Sequence, residues 1–215
     1  MAPDLEREKR LAAEAAAEVV EDGMRVGLGT GSTAQFFLEV LARRGLGIRC
    51  IGTSPATEAA ARGLGLHVDP FDEEEPTRLD LAVDGADQIA SDGWVVKGAG
   101  GAHTREKVVA ASAERFVVIA SSDKVVEHVT APIPIELLTF GYAATLERLE
   151  HARLRHAPPT PDGGLLADWV GPVDVPAELA ALLATTPGVV DHGLFPPELV
   201  SERLVGRGDV VERIT

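Results

Sequence analysis

The chain opens with an amphipathic pattern that predicts a helix. Alanine and valine residues recur at helical spacing from Ala12 to Val20, while Glu and Arg side chains fill the opposite face. Asp4 is suited to cap this helix, since its carboxylate can accept a hydrogen bond from a free N–H group of the first turn. We therefore expect a helix from Asp4 to about Val20, ended by Gly23.

Beyond this helix, short apolar runs alternate with helical patterns as far as residue 130. Strands are expected at 25–28, 48–52, 66–68, 79–83, 94–96 and 116–120, and helices at 34–42, 55–63 and 104–114. An acidic run from Asp72 to Glu75, followed by Pro76, predicts a solvated loop. Alternating strands and helices are typical of an α/β protein with a doubly wound, mostly parallel, Rossmann-like sheet.

The rhythm changes after Pro132. Elements in the order βαββαβ, which is that of a ferredoxin-like α+β domain, are predicted at 133–136, 139–150, 152–155, 165–170, 176–185 and 189–194. The apolar segment 210–213 is a candidate strand returning to the first sheet. We expect a Rossmann-like catalytic domain formed by 1–130 plus 206–215, and a smaller ferredoxin-like domain formed by 131–205.

Composition narrows the possible partners. The chain of 215 residues carries a formal net charge of −14, which repels nucleic acid and anionic lipid because both bind basic surfaces. Its single cysteine, Cys50, has no partner for a disulfide or a zinc module. The charged amino terminus lacks the apolar core of a secretory signal, and no apolar run approaches membrane-spanning length. We expect a cytoplasmic protein that binds neither nucleic acid nor membrane.

Residue types that carry chemistry follow four of the predicted strands, in the segments Gly29–Thr33, Asp84–Asp87, Lys97–Glu106 and Ser121–Lys124. In open α/β sheets, ligands bind outside the carboxyl ends of the strands. We therefore expect the four segments to line one edge of the sheet and to form a single site.

The segment Gly29–Thr33 precedes a predicted helix, so its backbone N–H groups, its hydroxyls and the helix dipole favour an anion such as phosphate. It is neither a Walker loop nor a dinucleotide fingerprint, since the lysine of the first and the third glycine of the second are absent. A capped strand-to-helix turn is an equally good interpretation of these residues alone.

Two carboxylates, Asp84 and Asp87, enclose Gly85 and Ala86 directly after an apolar strand. Such a pair can bind sugar hydroxyls or relay protons, although an Asx turn with a helix cap explains the same residues. A magnesium site would lack a third hard ligand nearby in sequence. We therefore expect no metal at these residues. No cofactor is expected either.

The densest cluster runs from Lys97 to Lys107. Its glycine loop, defined as Lys97–Gly101, lets the backbone approach a ligand while Lys97 adds positive charge. Glu106 falls in the first turn of the next predicted helix, where a carboxylate is also a favourable partner of the helix dipole or part of a capping box. His103 is assigned no role.

Taken together, the segments GLGTGSTA, DGAD, KGAGGAHTREK and SSDK resemble, in order and spacing, the ribose-5-phosphate isomerase A family. The later GVVDHGLF segment and the βαββαβ region are similar to that family's small domain, so the resemblance covers nearly the whole chain. It implies a metal-independent isomerase that interconverts D-ribose 5-phosphate and D-ribulose 5-phosphate in the pentose phosphate pathway. It also implies a homodimer or homotetramer.

The resemblance also implies residue roles. Glu106 matches the general base, and Asp84 and Lys97 match further catalytic residues. Whether Asp84 opens the sugar ring or passes protons between two oxygens stays open. Lys9 is a weaker candidate near the phosphate. The implied substrate-binding residues are Thr30, Gly31, Ser32, Thr33, Asp84, Gly85, Ala86, Asp87, Lys97, Gly98, Ala99, Gly100 and Lys124.

The chain departs from the family pattern at two positions. The glycine loop reads KGAGG where the family usually has KGGGA, and Gln88 follows DGAD where an acidic residue is usual. If position 99 required a positive φ, Ala99 would be strained by about 1 kcal/mol or more.

Two other classes of function are compatible with this fold. One is a related enzyme, either an amino-sugar-phosphate deaminase-like isomerase or a relative of the acyl-CoA transferases. The other is a sugar-phosphate sensor, which would normally carry a basic DNA-binding segment, and the sequence offers no such segment.

Overall fold

The computed structural model describes residues 4–71 and 78–215. The predicted acidic loop from Asp72 to Pro76 lies outside the described residues. Six α-helices are described: α1 Leu5–Glu18, α2 Ser32–Arg44, α3 Pro55–Gly63, α4 His103–Ala111, α5 Tyr142–Arg148 and α6 Pro176–Thr185. None of these helices is both long and apolar enough to cross a membrane.

Fifteen strands are described in the same residues: β1 Arg25–Leu28, β2 Arg49–Gly52, β3 His67–Val68, β4 Leu79–Asp84, β5 Gln88–Ala90, β6 Val95–Val96, β7 Ala113–Ser121, β8 Val125–Val126, β9 Ile133–Leu137, β10 Ala152–Leu154, β11 Leu165–Trp169, β12 Val189–His192, β13 Leu194–Phe195, β14 Glu202–Arg207 and β15 Val210–Ile214. Most predicted elements are confirmed, with boundaries that move by a few residues at most.

The chain divides into two compact units. The first unit consists of Met1–Ala86, Arg105–Val125 and Glu198–Thr215, and the second of Asp87–Thr104 and Val126–Pro197. This division gives 87–104 to the second unit and 198–205 to the first, whereas the sequence places domain boundaries at 130 and 206. The division into two domains with the predicted boundaries remains a prediction.

The first unit is built on a seven-stranded sheet in the order β15-β14-β7-β4-β1-β2-β3. All neighbouring pairs are parallel except β14 with β15, which are antiparallel. Helices cover both faces. Val26 and Leu28 of β1 belong to a core shared with α1 and α2, whereas a Cβ on Gly27 would meet Val109 of α4. Because successive strand residues face opposite sides, the sheet is doubly wound, as predicted.

Local sequence explains the helix ends of this unit. The Asp4 carboxylate accepts a hydrogen bond from the Arg7 N–H at 3.2 Å, and the Ser54 hydroxyl accepts one from the Thr57 N–H at 3.1 Å before Pro55 begins α3. Both side chains therefore cap the helices that the sequence predicts.

The sequence pattern does not predict one interior strand of the large sheet, β14. β14 is buried at five of its six positions and runs parallel to β7, although it begins with Glu202 and Arg203. Glu202 is compensated by ion pairs with Arg213 at 2.8 Å and Arg115 at 3.5 Å, which lie on the two neighbouring strands. The predicted strand near the carboxyl terminus is confirmed as β15, which pairs with β14.

The second unit contains an antiparallel sheet in the order β10-β11-β9-β12 with α5 and α6 between its strands in sequence. This order and the βαββαβ sequence of elements are those of a ferredoxin-like fold. Ile133, Ile135 and Leu137 of β9 are fully buried in its core. The unit also carries a small sheet in the order β13-β6-β5-β8.

The small sheet corrects one prediction. The strand before Lys97 was expected to run parallel in the large sheet, but β6 forms a hairpin with β5, in which Gln88 pairs with Val96 and Ile89 with Val95. Only the tight turn at Ser91–Gly93 separates the two strands, so their pairing closes a short loop and costs little conformational entropy. Lys97 therefore does not follow a strand of the large sheet.

A buried carboxylate ties three segments of the first unit together. Glu8 of α1 is 1% exposed. Its Oε2 accepts hydrogen bonds from the Ser122 N–H at 2.9 Å and the Ser122 hydroxyl at 2.6 Å, and its Oε1 accepts one from the Gly208 N–H at 2.8 Å. Burial alone would raise the pKa of Glu8, but these hydrogen bonds and the charge of Arg207 together lower it.

Replacing Glu8 by alanine is therefore expected to reduce the free energy of unfolding by about 2–3 kcal/mol, since three hydrogen bonds to a charged, buried group are lost. Because the folded pKa of Glu8 is depressed, its contribution is full above the unfolded pKa and is lost as pH falls through the folded pKa. Urea unfolding at several pH values measures both effects. The same change at exposed Glu18 of α1 is the control, and equal midpoints for the two variants would contradict the prediction.

Candidate active site

In the first unit, Asp84 is held at the carboxyl end of β4. The residue is 3% exposed, and its Oδ1 accepts hydrogen bonds from the Gly85 N–H at 2.7 Å and the Thr30 N–H at 3.1 Å. Thr30 follows β1, which neighbours β4 in the sheet. Asp84, Gly85 and the first loop, Gly29–Thr33, are therefore brought together as predicted.

This arrangement requires a glycine at position 29. A Cβ on Gly29 would lie 2.0 Å from the Asp84 Oδ1 and 2.5 Å from the Asp84 Cβ. Only a residue without a side chain lets the loop approach the carboxylate this closely.

The hydroxyl groups of Thr53, Ser54 and Thr57 hold the first loop in place through the Thr30 side chain. The Thr30 Oγ1 lies 2.8 Å from the Thr53 Oγ1, 2.9 Å from the Ser54 Oγ and 2.9 Å from the Thr57 Oγ1. The Thr57 hydroxyl also donates to the Gly29 carbonyl at 3.1 Å. The Thr30 side chain is thus engaged within the protein. Sequence reasoning missed Thr53 and Thr57, although hydroxyls following β2 were the available signal.

The amino terminus of α2 lies in the same loop. Gly31 is its N-cap residue with φ +121°, and no side chain caps this helix. Ser32 is exposed and Thr33 half-buried. An uncapped helix start of this kind presents N–H groups to an anion, with the helix dipole adding to the attraction.

Two lysines of the first unit lie on segments that Glu8 joins. Lys124 ends a short 3₁₀ turn, Ser122–Lys124, that follows β7, and its Nζ lies 3.5 Å from the Asp123 Oδ2. Lys9 lies next to Glu8 on α1, with its Nζ 3.3 Å from the Glu6 Oε1.

Glu106 lies in the first turn of α4 and is 5% exposed. A carboxylate at this place is favoured by the positive end of the helix dipole. Burial also keeps bulk water from the carboxylate, which suits a group that must exchange a proton with a bound molecule.

In the second unit, Asp87 is joined to the glycine loop. The Asp87 Oδ2 accepts a hydrogen bond from the Ala99 N–H at 2.9 Å, while the Asp87 N–H donates to the Val96 carbonyl at 2.7 Å. Lys97 is 3% exposed; its N–H donates to the Gly193 carbonyl at 2.9 Å, and its Nζ lies 5.7 Å from the centre of the Phe195 ring. The segment around Gly193 therefore positions Lys97.

Known proteins resemble this chain over nearly its whole length. The sequence profile described as ribose 5-phosphate isomerase A (phosphoriboisomerase A) matches residues 49–210. Ribose-5-phosphate isomerase A of Caulobacter vibrioides is 44% identical, with 96% of this chain and 97% of the relative covered. The enzyme of the same name from Gloeobacter violaceus is also 44% identical, with 89% of each chain covered. The chain belongs to the ribose-5-phosphate isomerase A family.

Solved structures agree. Ribose 5-phosphate isomerase A from Methanocaldococcus jannaschii has a TM-score of 0.89 at 32% identity, with 96% of this chain and 97% of that chain covered. A D-ribose-5-phosphate isomerase in complex with phospho-erythronic acid has a TM-score of 0.91 at 30% identity, with 98% of this chain and 99% of that chain covered. The predicted fold class is thereby confirmed.

The two departures from the family pattern have structural explanations. Among the described residues, positive φ angles occur only at glycines, so Ala99 carries no such strain; the positive φ angles of the loop, +111° and +77°, are at Gly98 and Gly101. The Gln88 side chain donates to the Thr130 carbonyl at 2.8 Å and accepts from the Thr130 N–H at 2.9 Å. Gln88 thus fixes the segment before Pro132, a role for which an uncharged amide is suited.

No metal site is evident in the part of the chain that the structure describes, where no group of three or more His, Cys, Asp or Glu side chains is arranged to hold an ion. His103, which sequence reasoning left without a role, is fully buried at the start of α4.

Proposed function

We infer that this chain is a ribose-5-phosphate isomerase that interconverts D-ribose 5-phosphate and D-ribulose 5-phosphate, in the non-oxidative branch of the pentose phosphate pathway. The observation that carries the inference is 44% identity to ribose-5-phosphate isomerase A over 97% of that relative. The three residues matched to the family's catalytic residues, Glu106, Asp84 and Lys97, are also buried.

The proposed reaction begins with opening of the sugar ring. Glu106 then removes the proton from the second carbon of the aldose, the electrons form an enediolate, and Glu106 returns the proton to the first carbon to give the ketose. One carboxylate can perform both transfers because the two carbons are adjacent. The hydroxyl proton must likewise move from the oxygen on the second carbon to the oxygen on the first, and Asp84 can pass it between the two oxygens or assist ring opening.

Charge that develops on the substrate oxygens needs stabilisation. Lys97 supplies a positive charge and the glycine loop supplies backbone N–H groups, both of which stabilise an oxyanion more strongly when water is excluded. The burial of Lys97 supports this role, since a buried ammonium is oriented in advance.

The phosphate is assigned to the first unit. The uncapped start of α2 offers N–H groups from Gly31 to Thr33, and Lys124 and Lys9 supply positive charge. A solved relative in complex with phospho-erythronic acid supports a site for a phosphorylated sugar acid of this size. Because the chain has a formal net charge of −14, these local groups must overcome a repulsive field.

The activity is tested by following ribulose 5-phosphate formation from ribose 5-phosphate with and without EDTA. We expect turnover that survives exhaustive chelation, because the proposed mechanism uses only side chains and backbone groups. Free ribose is the matched substrate control and should react very poorly, since the binding energy of its phosphate is missing. Loss of activity restored by magnesium or zinc would refute the metal-free mechanism. Turnover of glucosamine 6-phosphate or CoA esters instead would favour the alternative enzymes.

The remaining proposals concern assembly and location. We propose a homodimer or homotetramer in the cytoplasm, with no nucleic acid or membrane partner. Phe140, which is 91% exposed, is the kind of residue that a subunit interface covers. Sedimentation equilibrium would measure the mass, and a monomer at micromolar concentration would contradict the proposal.

A further inference from the structure

Arg155 of the second unit reaches the glycine loop from the ferredoxin-like sheet. It directly follows β10, and its Nη1 donates to two successive backbone carbonyls, Gly98 at 3.2 Å and Ala99 at 3.1 Å. The other side of the guanidinium forms a bidentate pair with Asp168 of β11, through Nε to Oδ2 at 3.0 Å and through Nη2 to Oδ1. The planar guanidinium is therefore oriented by Asp168 and used to hold the loop.

This contact helps to determine where two N–H groups of the loop, those of Ala99 and Gly100, point. In a planar trans peptide the C=O and the following N–H point in opposite directions. Since the Gly98 carbonyl faces Arg155, the Ala99 N–H faces away and meets the Asp87 carboxylate at 2.9 Å. By the same geometry the Gly100 N–H faces away from Arg155, and it meets no backbone acceptor among the described residues. A Cβ on Gly100 would meet nothing within 4 Å, so the space there is open.

The rest of the loop is tightly packed. A Cβ on Gly98 would lie 2.7 Å from the His103 Nδ1 and 2.8 Å from the Pro134 Cβ, and one on Gly101 would lie 2.6 Å from Leu166. The Gly98 carbonyl also accepts a hydrogen bond from the Gly101 N–H at 3.0 Å, and the Ala99 N–H is held by Asp87. The peptide between Gly98 and Ala99 is thus fixed from several sides. For the next peptide, between Ala99 and Gly100, Arg155 is the side chain that holds the carbonyl.

We propose that Arg155, oriented by Asp168, is a positioning residue for catalysis: it fixes the two peptides so that the Gly100 N–H is presented to the oxyanion of the enediolate. The proposal rests on the isomerase function inferred above. A positioning role can be distinguished from a purely structural role of the Arg155–Asp168 ion pair. A structural ion pair affects stability alone, whereas a positioning residue affects the chemical step more than substrate binding.

The test compares Arg155→Met, Arg155→Lys and Asp168→Asn with Arg153→Met. Arg153 lies on β10, is exposed and, within residues 4–71 and 78–215, donates only to the Glu150 and Ala152 carbonyls, so it is a matched control. We expect Arg155→Met to lower kcat by about 10- to 100-fold while KM for ribose 5-phosphate changes by less than about 3-fold. Arg155→Lys should recover part of the loss, because an ammonium can still donate to one carbonyl.

Calorimetry with phospho-erythronic acid gives a second readout, in which Arg155→Met should bind more weakly by about the same factor as its loss of kcat. A kcat within two-fold of wild type, or a loss confined to KM, would overturn the proposal. If Arg155→Met does not unfold cooperatively, Asp168→Asn decides by the same criteria. Wild-type protein that leaves ribose 5-phosphate unchanged would instead refute the isomerase function, and unaltered affinity of Arg155→Met for phospho-erythronic acid would then overturn the positioning role too.

Discussion

Replacing Glu106 by glutamine is expected to lower turnover of ribose 5-phosphate by about 10²–10⁴-fold or more, because the amide keeps the shape of the side chain but cannot accept the proton. Binding of phospho-erythronic acid should change far less, since the glutamine side chain would still occupy the same buried position in the first turn of α4. Steady-state kinetics and calorimetry on the same preparation separate the two effects.

The control for this substitution is Glu114→Gln, which makes the same chemical change at an exposed position of β7. Turnover in heavy water adds a direct test, because a carboxylate that exchanges with solvent incorporates some deuterium at the first carbon of ribulose 5-phosphate. Near-normal turnover in Glu106→Gln would eliminate Glu106 as the base. Wild-type product without deuterium would leave a shielded carboxylate or a hydride shift, and loss of turnover in the glutamine variant would decide for the carboxylate.

Sequence reasoning succeeded where local chemistry determines the structure. Asp4 acts at the end of its own helix, so its role can be predicted without knowledge of distant residues. β14 was missed because its pattern breaks the rule that buried strands are apolar. Its Glu202 is stabilised by arginines of the adjacent strands, 87 and 11 residues away in sequence, and such compensation cannot be predicted from the strand alone.

In the candidate site, too, features set by local sequence were predictable and features set by distant residues were not. Glycine loops and the carboxylates that follow strands are visible in the sequence, which is why Asp84 and the first loop were predicted together. The supporting residues are not visible. Glu8 meets Ser122 and Gly208 at separations of 114 and 200 residues, and Arg155 meets the glycine loop at separations of 56 and 57 residues. A charged residue on an amphipathic helix or after a strand end is ordinarily solvated, so its sequence context gives no signal.

Replacing Gly29 by alanine should disable the site through Asp84. The new Cβ would lie 2.0 Å from the Asp84 Oδ1 and 2.1 Å from its Cγ, so the carboxylate must leave the hydrogen bonds that it accepts from Thr30 and Gly85. A displacement of about 1 Å in a catalytic group can cost about 10²-fold in rate, and overpacking of this kind costs about 1–3 kcal/mol in stability. We therefore expect kinetics to show a loss of turnover of about 10²-fold. Urea unfolding should show a loss of about 1–3 kcal/mol in the free energy of unfolding.

Two variants establish whether Asp84 is the cause. Gly63→Ala makes the same change at the end of α3, where a Cβ would meet nothing within 4 Å, and should leave rate and stability nearly unchanged. Asp84→Gly removes every Asp84 atom near the new Cβ, so adding Gly29→Ala to it should cost much less stability than in the wild type. Such non-additivity is expected only for residues in direct contact. Equal costs in the two backgrounds would show instead that Gly29 is needed for the backbone of the loop, independently of the carboxylate.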